Sequence, residues 1–194
     1  MIHILPKDQT DQASPKKTKT MRELGPIDIS GVRDDILNIP QELWQYQDND
    51  KPNKFEALGR TQHIVFQFVC DNDNHLEVVD YPIWDEWKDR LLPLMEQATK
   101  PYGYENGAYS RIMFAKLPAG GKIALHIDPY KSSNYTHKIH IPIKTNPDVE
   151  FLVGYKRYHL AEGFAYEVNN KAVHGGVNNG TEDRIHLIFE YYEK

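Results

Sequence analysis

The sequence predicts a mainly β domain of the α+β kind: a double-stranded β-helix, or jelly roll, in its second half, with helices from the first half packed on one side. Two observations carry this expectation. After residue 105, eight short runs rich in β-branched and aromatic residues follow at intervals of roughly ten residues: SRIMFAKL, KIALHI, HKIHIPI, VEFLV, KRYHL, GFAYEV, AVHGGV and RIHLIFEYY. They are separated by good turn chemistry, PAGG at 118–121, NPD at 146–148, Gly154 and NNG at 178–180, with no helical pattern between them. That order fits an antiparallel sandwich or barrel and excludes alternating βαβ units.

The first half reads differently. HIVFQFV at 63–69 is a strand by its β-branched and aromatic content. PIWDEWKDRLLPLMEQAT at 82–99 reads as a helix, with Asp80 near its start and Trp84, Trp87, Leu91, Leu94 and Met95 at helical spacing. Pro93 removes a backbone donor there and is expected to kink or divide the element. Ile36, Leu37, Ile39, Leu43 and Trp44 support a short helix interrupted by Pro40. Residues 1–22, polar over 6–20, are expected to form a mobile or extended N-terminal arm, and 23–194 a single domain whose β core spans about 105–194.

The bulk composition narrows function mainly by exclusion. With 194 residues, 40% hydrophobic and 26% charged, the chain is an ordinary globular domain able to bury a sizeable core. A net charge of −5 and a pI near 6.0 give no general attraction for phosphate backbones, so no nucleic-acid partner is expected. The single cysteine, Cys70, rules out an internal disulfide, a CxxC pair and a cysteine-built zinc site; in HIVFQFVC it reads as a buried strand thiol. No secretory h-region and no membrane-length apolar run is present, so cytoplasmic residence without a membrane partner is the expectation.

The chemistry lies in two segments, IALHIDPY at 123–130 and NKAVHGGVNNGTEDRIHLIFE at 170–190. On a strand, side chains two apart share a face, so His126 and Asp128 point together if the strand reaches 128, with Leu125 and Ile127 opposite. His174, far along the chain, joins them if the jelly roll closes. Two imidazoles and a carboxylate suit Fe(II), although Mn, Co, Ni or Zn fits the same donors. Any His-x-Asp pair alone is weak evidence among nine histidines. The joint pattern is stronger, because His174 sits in a Gly- and Asn-rich turn that a core histidine does not require. Arg184, opening the apolar run IHLIFEYY, needs an anionic partner that the sequence does not supply.

At these residues the chain resembles the Fe(II)/2-oxoglutarate-dependent dioxygenases, and more narrowly the aspartyl/asparaginyl β-hydroxylase family, which includes some small-molecule proline hydroxylases. The resemblance covers about residues 105–194, in LPAGGKIALHIDPY, THKIHIPI, EGFAYEVNNKAVHGGVNNG and DRIHLIFEYY. It implies His126, Asp128 and His174 as iron ligands and Arg184 as the group that grips the distal carboxylate of 2-oxoglutarate. It also implies a basic residue and a histidine beside the cosubstrate, here Lys138 and His140. Some members carry arginine where Lys138 stands, and some lack the carboxylate ligand that Asp128 supplies here. The implied cofactors are Fe(II), 2-oxoglutarate as cosubstrate and dioxygen. No protein nucleophile or general base is needed; the reaction is hydroxylation of an unactivated carbon with release of succinate and carbon dioxide.

Substrate identity stays open between an amino acid, an amino-acid-like small molecule and a peptidyl Asp/Asn side chain. PYKSSNYT at 129–136 is a candidate lid offering Tyr130, Tyr135 and Lys131, with Arg157 and Tyr158 as further candidates. Lys138 reads equally as a solvated strand residue. His186 shares the face of Arg184 and reads as a core hydrogen-bonder; His137 and His159 read as structural or exposed, and His3, His63 and His75 receive no role. Two rivals remain: a cupin-like metalloenzyme that does not use 2-oxoglutarate, and a non-catalytic jelly-roll binding module.

Overall fold

The computed structural model describes residues 14–52, 54 and 56–194. Residues 1–13, most of the expected arm and His3 with it, lie outside them. Residues 14–20 lack regular structure, and the Lys17 ammonium donates to the Thr136 carbonyl and to Asn170 Oδ1. The chain then runs through β1 (Met21–Pro26), α1 (Arg33–Leu37), α2 (Gln41–Asn49), β2 (Gln62–Asp71), β3 (Asn74–Asp80) and α3 (Trp84–Thr99). Eight strands follow: β4 (Gly107–Leu117), β5 (Lys122–His126), β6 (His137–Lys144), β7 (Val149–Val153), β8 (Lys156–Tyr158), β9 (Phe164–Val168), β10 (His174–Asn178) and β11 (Arg184–Glu193). These are the eight runs read from the sequence.

The strands form two antiparallel sheets. The larger has the order β1-β9-β6-β11-β4-β2-β3 and the smaller β5-β10-β7-β8. This is the expected jelly roll, widened by strands from the first half.

Strand β11, central in the large sheet, shows how alternation divides it. Ile185, Leu187, Phe189 and Tyr191 join the main core with the helices; Arg184, Ile188 and Glu190 line a cavity on the other face. The register carries this across neighbouring strands. Glu190 lies opposite Arg111 on β4 and Lys138 on β6, while Ile188 lies opposite Met113 and His140. On the helix side, Phe66 of β2 and Phe114 of β4 meet edge to face at 4.8 Å, and Trp87 of α3 meets Phe114 at 5.2 Å.

Pro93 neither ends nor divides α3. Both Pro93 and Asp89, whose carbonyl loses its helical partner, are exposed, so that carbonyl is open to solvent and the lost bond costs little. Pro40 acts as read: it stands between α1 and α2 as the residue capping the second. Cys70 departs from expectation, being exposed rather than buried. It stands next to last on β2 at the β3 hairpin, where the helix-side core has ended; that core takes Ile64 and Phe66 from this strand and nothing later. Among the described residues no helix is long and apolar enough to cross a membrane.

Phe114→Ala is expected to cost roughly 3–5 kcal/mol of stability by opening a cavity under the helices. Leu125→Ala, at a side chain 60% exposed on β5, should shift stability by no more than about 0.5 kcal/mol. Urea unfolding of the two variants checks the contrast.

Candidate functional site

The small sheet brings the first cluster together. Strand β10 pairs antiparallel with β5, and His174 falls directly opposite His126. The ordered strand ends at His126, short of the extension to 128 that the alternation argument assumed. Asp128 is placed instead by its own backbone, whose N–H donates to the Asn170 carbonyl at 2.9 Å. The outcome is the one expected: ligand atoms of His126, Asp128 and His174 all lie within 4.8 Å of one another. Gly175 permits the strand approach. A Cβ there would stand 2.8 Å from the Ile123 carbonyl oxygen, so only glycine lets β10 sit this close to β5.

Both imidazoles are oriented in the same way. His126 Nδ1 donates to the Ala124 carbonyl at 2.8 Å, and His174 Nδ1 to the Ala172 carbonyl at 3.0 Å. Spending the Nδ1 proton on a carbonyl two residues back leaves Nε2 as the lone-pair nitrogen. The two Nε2 atoms stand 3.7 and 3.8 Å from the same carboxylate oxygen, Asp128 Oδ1. The other oxygen, Oδ2, accepts from Lys138 Nζ at 2.6 Å. Burial works against the Asp128 charge, but Lys138 and the flanking His174 and His126 hold its carboxyl well below the usual range. Burial lowers His174 to about 4, so it is neutral at physiological pH, the form in which an imidazole can bind a metal.

The second cluster lies deeper between the sheets. Arg184 is 2% exposed and its Nε has no hydrogen-bond partner among the described residues. Burial, with no charged partner beside it, lowers its pKa to about 10. Around it stand further buried polar atoms without partners: His140 Nε2, His186 Nε2 and Thr61 Oγ1. His140 and His186 meet through their Nδ1 atoms at 3.3 Å. Arg184, His140, Lys138, His63 and Thr61 share one cavity with His126, Asp128 and His174, enclosing about 930 Å³ including its open mouth.

Every site residue read from the sequence therefore lines this cavity. Of the substrate-contact candidates, Tyr130 lines it as well. Tyr135 instead stacks on His75, and Arg157 pairs with Glu150 on the surface. The sequence reading missed His63, Arg111 and Glu190, all cavity-lining. For Glu190 a cue was present: it repeats the inward phase of Arg184 along β11.

Comparison with known proteins then decides the family. A family model described as aspartyl/asparaginyl β-hydroxylase matches residues 35–194. The chain belongs to this family. It is a family of oxidoreductases, and the match extends well into the first half, which the motifs did not reach. Similar solved structures share the fold at low identity. An oxidoreductase of the 2OG-Fe(II) oxygenase family from Burkholderia pseudomallei aligns with a TM-score of 0.53 at 14% identity, over 68% of this chain and 66% of that one. This chain thus spans slightly under two thirds of that protein. A collagen prolyl hydroxylase of Paramecium bursaria Chlorella virus-1, solved with 2OG, gives 0.53 at 8% identity, covering 91% of this chain and 97% of that one. A prolyl-4-hydroxylase from Pseudomonas putida gives 0.51 at 10% identity, covering 90% and 93%. No curated protein sequence matches the chain.

The deep histidines make stability depend on pH. Burial holds His140 and His186 well below the ordinary 6.5, so both stay neutral in the fold. Below that value the unfolded chain takes up protons that the folded state refuses, and stability falls as pH drops. Urea midpoints measured from pH 8 to pH 5 should stay level above about pH 7 and decline below it, by on the order of 1 kcal/mol per pH unit per histidine.

Proposed function

We propose that this cavity houses an Fe(II)- and 2-oxoglutarate-dependent dioxygenase that hydroxylates an unactivated carbon of an amino acid, an amino-acid-like small molecule or a peptidyl Asp/Asn side chain. One observation carries the reading: a buried guanidinium to which no described residue brings a counter-ion, in the same cavity as a His-Asp-His cluster whose Nε2 atoms converge on one carboxylate oxygen. A buried charge is costly unless an anion meets it. A small dicarboxylate that reaches from the cluster to Arg184 supplies that anion.

The residues fit both groups. Two imidazoles and one ionised carboxylate form the donor set that suits Fe(II) and leaves the remaining positions open. Lys138 fixes Asp128 by taking Oδ2, so Oδ1 remains for a cation. Arg184 suits the distal carboxylate of 2-oxoglutarate through a two-pronged contact. In the His140–His186 pair, a proton on His186 Nδ1 places the His140 proton on Nε2, which then donates toward the cosubstrate. Lys138 has further N–H donors for the ketoacid end.

Bound iron, with 2-oxoglutarate and dioxygen, would supply the oxidising power, and the cosubstrate would leave as succinate and carbon dioxide. The chain's own part is positional. Its ligands and cations set the orientation of the reactants, and the surrounding Ile123, Phe151, Met113 and Ile188 exclude water.

His174→Ala should abolish binding of Co(II), used as an optical probe of the metal site, together with turnover, while the far-UV circular dichroism spectrum stays unchanged. Full activity in that variant would end the ligand assignment. Arg184→Lys should weaken 2-oxoglutarate binding by roughly ten- to hundred-fold and leave Fe(II) affinity nearly intact, since the fork is replaced by a point charge. Anaerobic titration of the visible Fe(II)–2-oxoglutarate band measures both; an unchanged cosubstrate affinity would count against the role of Arg184.

A further inference from the structure

The cavity has a second charged region, away from Arg184, that nothing above uses. Register places Arg111, Glu190 and Lys138 side by side across β4, β11 and β6, and Lys138 continues to Asp128. The signs alternate along this row, plus, minus, plus, minus, so it is neutral as a whole. Glu190 is only 3% exposed, and its two oxygens are treated unequally. Oε2 accepts from Arg111 at 2.5 Å, from Thr136 Oγ1 at 3.0 Å and from Ser110 Oγ at 3.4 Å. Oε1 receives no donor among the described residues, although the side chain lines the cavity. Arg111 has no slack to turn toward it: its other terminal nitrogen donates to Asn72 Oδ1 at 3.2 Å and Ser132 Oγ at 3.0 Å.

A buried ion pair that served the fold alone would be expected to satisfy both carboxylate oxygens. Here one oxygen is saturated and the other is presented, fixed and charged, to the space beside the proposed metal site. Burial raises the Glu190 carboxyl, yet Arg111 and Lys138 more than offset this, so the group is ionised at neutral pH. Phe68, Met113, Ile188 and Tyr130 give this end apolar walls for a compact body.

We infer that Glu190 Oε1 receives the ammonium group of the substrate, which is therefore a small molecule with an unblocked amino group, a free amino acid, rather than an internal residue of a polypeptide. This rests on the hydroxylase reading and narrows its substrate class. Arg111 and Lys138 already balance the Glu190 charge, so the discrimination lies at Oε1 itself: an amide N–H offers it one neutral donor, whereas the ammonium of a zwitterion offers a charge-assisted one and adds no net charge to the row.

The test separates the two readings. Saturation-transfer NMR on the metal-free protein with the twenty free L-amino acids, and separately with their Nα-acetyl derivatives, reads binding without turnover. At least one free amino acid should bind, and its acetylated form should bind roughly ten- to hundred-fold more weakly. Glu190→Gln should erase that difference, and the wild-type comparison stands even if the variant folds poorly. The bound amino acid should also stimulate succinate release by the Fe(II)-loaded protein. Equal binding of free and acetylated forms would overturn the inference, as would failure of every free amino acid both to bind and to release succinate. If the Fe(II)–2-oxoglutarate band still forms in that case, the hydroxylase reading survives and only the substrate class falls. If the band is absent as well, both fall.

Discussion

A guanidinium held between two sheets, with no counter-ion among the described residues, is the constraint around which the rest of the structure is arranged. Removing such a charge from water costs several kcal/mol even after the protein relaxes. Arg184 stays there because β11 cannot release it. The strand is bonded on both sides, to β4 and β6, along nearly its whole length. Its alternate residues Ile185, Leu187, Phe189 and Tyr191 are locked into the helix-covered core. A shift of one residue would move Arg184 into the helix-covered core and drive four large apolar side chains into the cavity. The packed face therefore holds the polar face, Arg184 included, in place.

The two sheets contribute different properties to the site. The large one, backed by the helices, carries the charges that must not move: Arg184, His140, Lys138, Arg111 and Glu190. The small one supplies His126 and His174 from β5 and β10, the first an unbacked edge strand, with Leu125 and Ile127 open to solvent. Asp128 bridges the two sheets. It follows β5 in sequence, yet its side chain is fixed by Lys138 from the opposite sheet. One ion pair thus ties the proposed metal position to the rigid wall, and the distance from metal to Arg184 is set by the sheet separation.

Much of this was legible because strands write their burial into the sequence as alternation. All eight runs after residue 105 became strands, and the triad could be read from His126 and Asp128 two apart plus a histidine in a glycine-rich segment. The strands β1 and β3 were not legible. They are the two edges of the large sheet, and MRELGP and NHLEVVD carry polar residues because edges face water. Cys70 misled because its apolar neighbours reported the strand, not where along the strand the helical cover ends. The Arg111–Glu190 pair was hidden for another reason: the partners are 79 residues apart and meet only through the β4–β11 register.

That register also bears on how the mouth of the cavity is shaped. Ser132 donates to the Asn72 carbonyl at 2.5 Å, and the Lys131 N–H donates to Asp73 Oδ1 at 3.0 Å, so the loop after Asp128 is fastened to the β2–β3 hairpin. Arg111 sits under this junction and bonds both sides of it, Asn72 and Ser132. The same guanidinium that orients Glu190 therefore also pins the segment carrying Tyr130 over the opening.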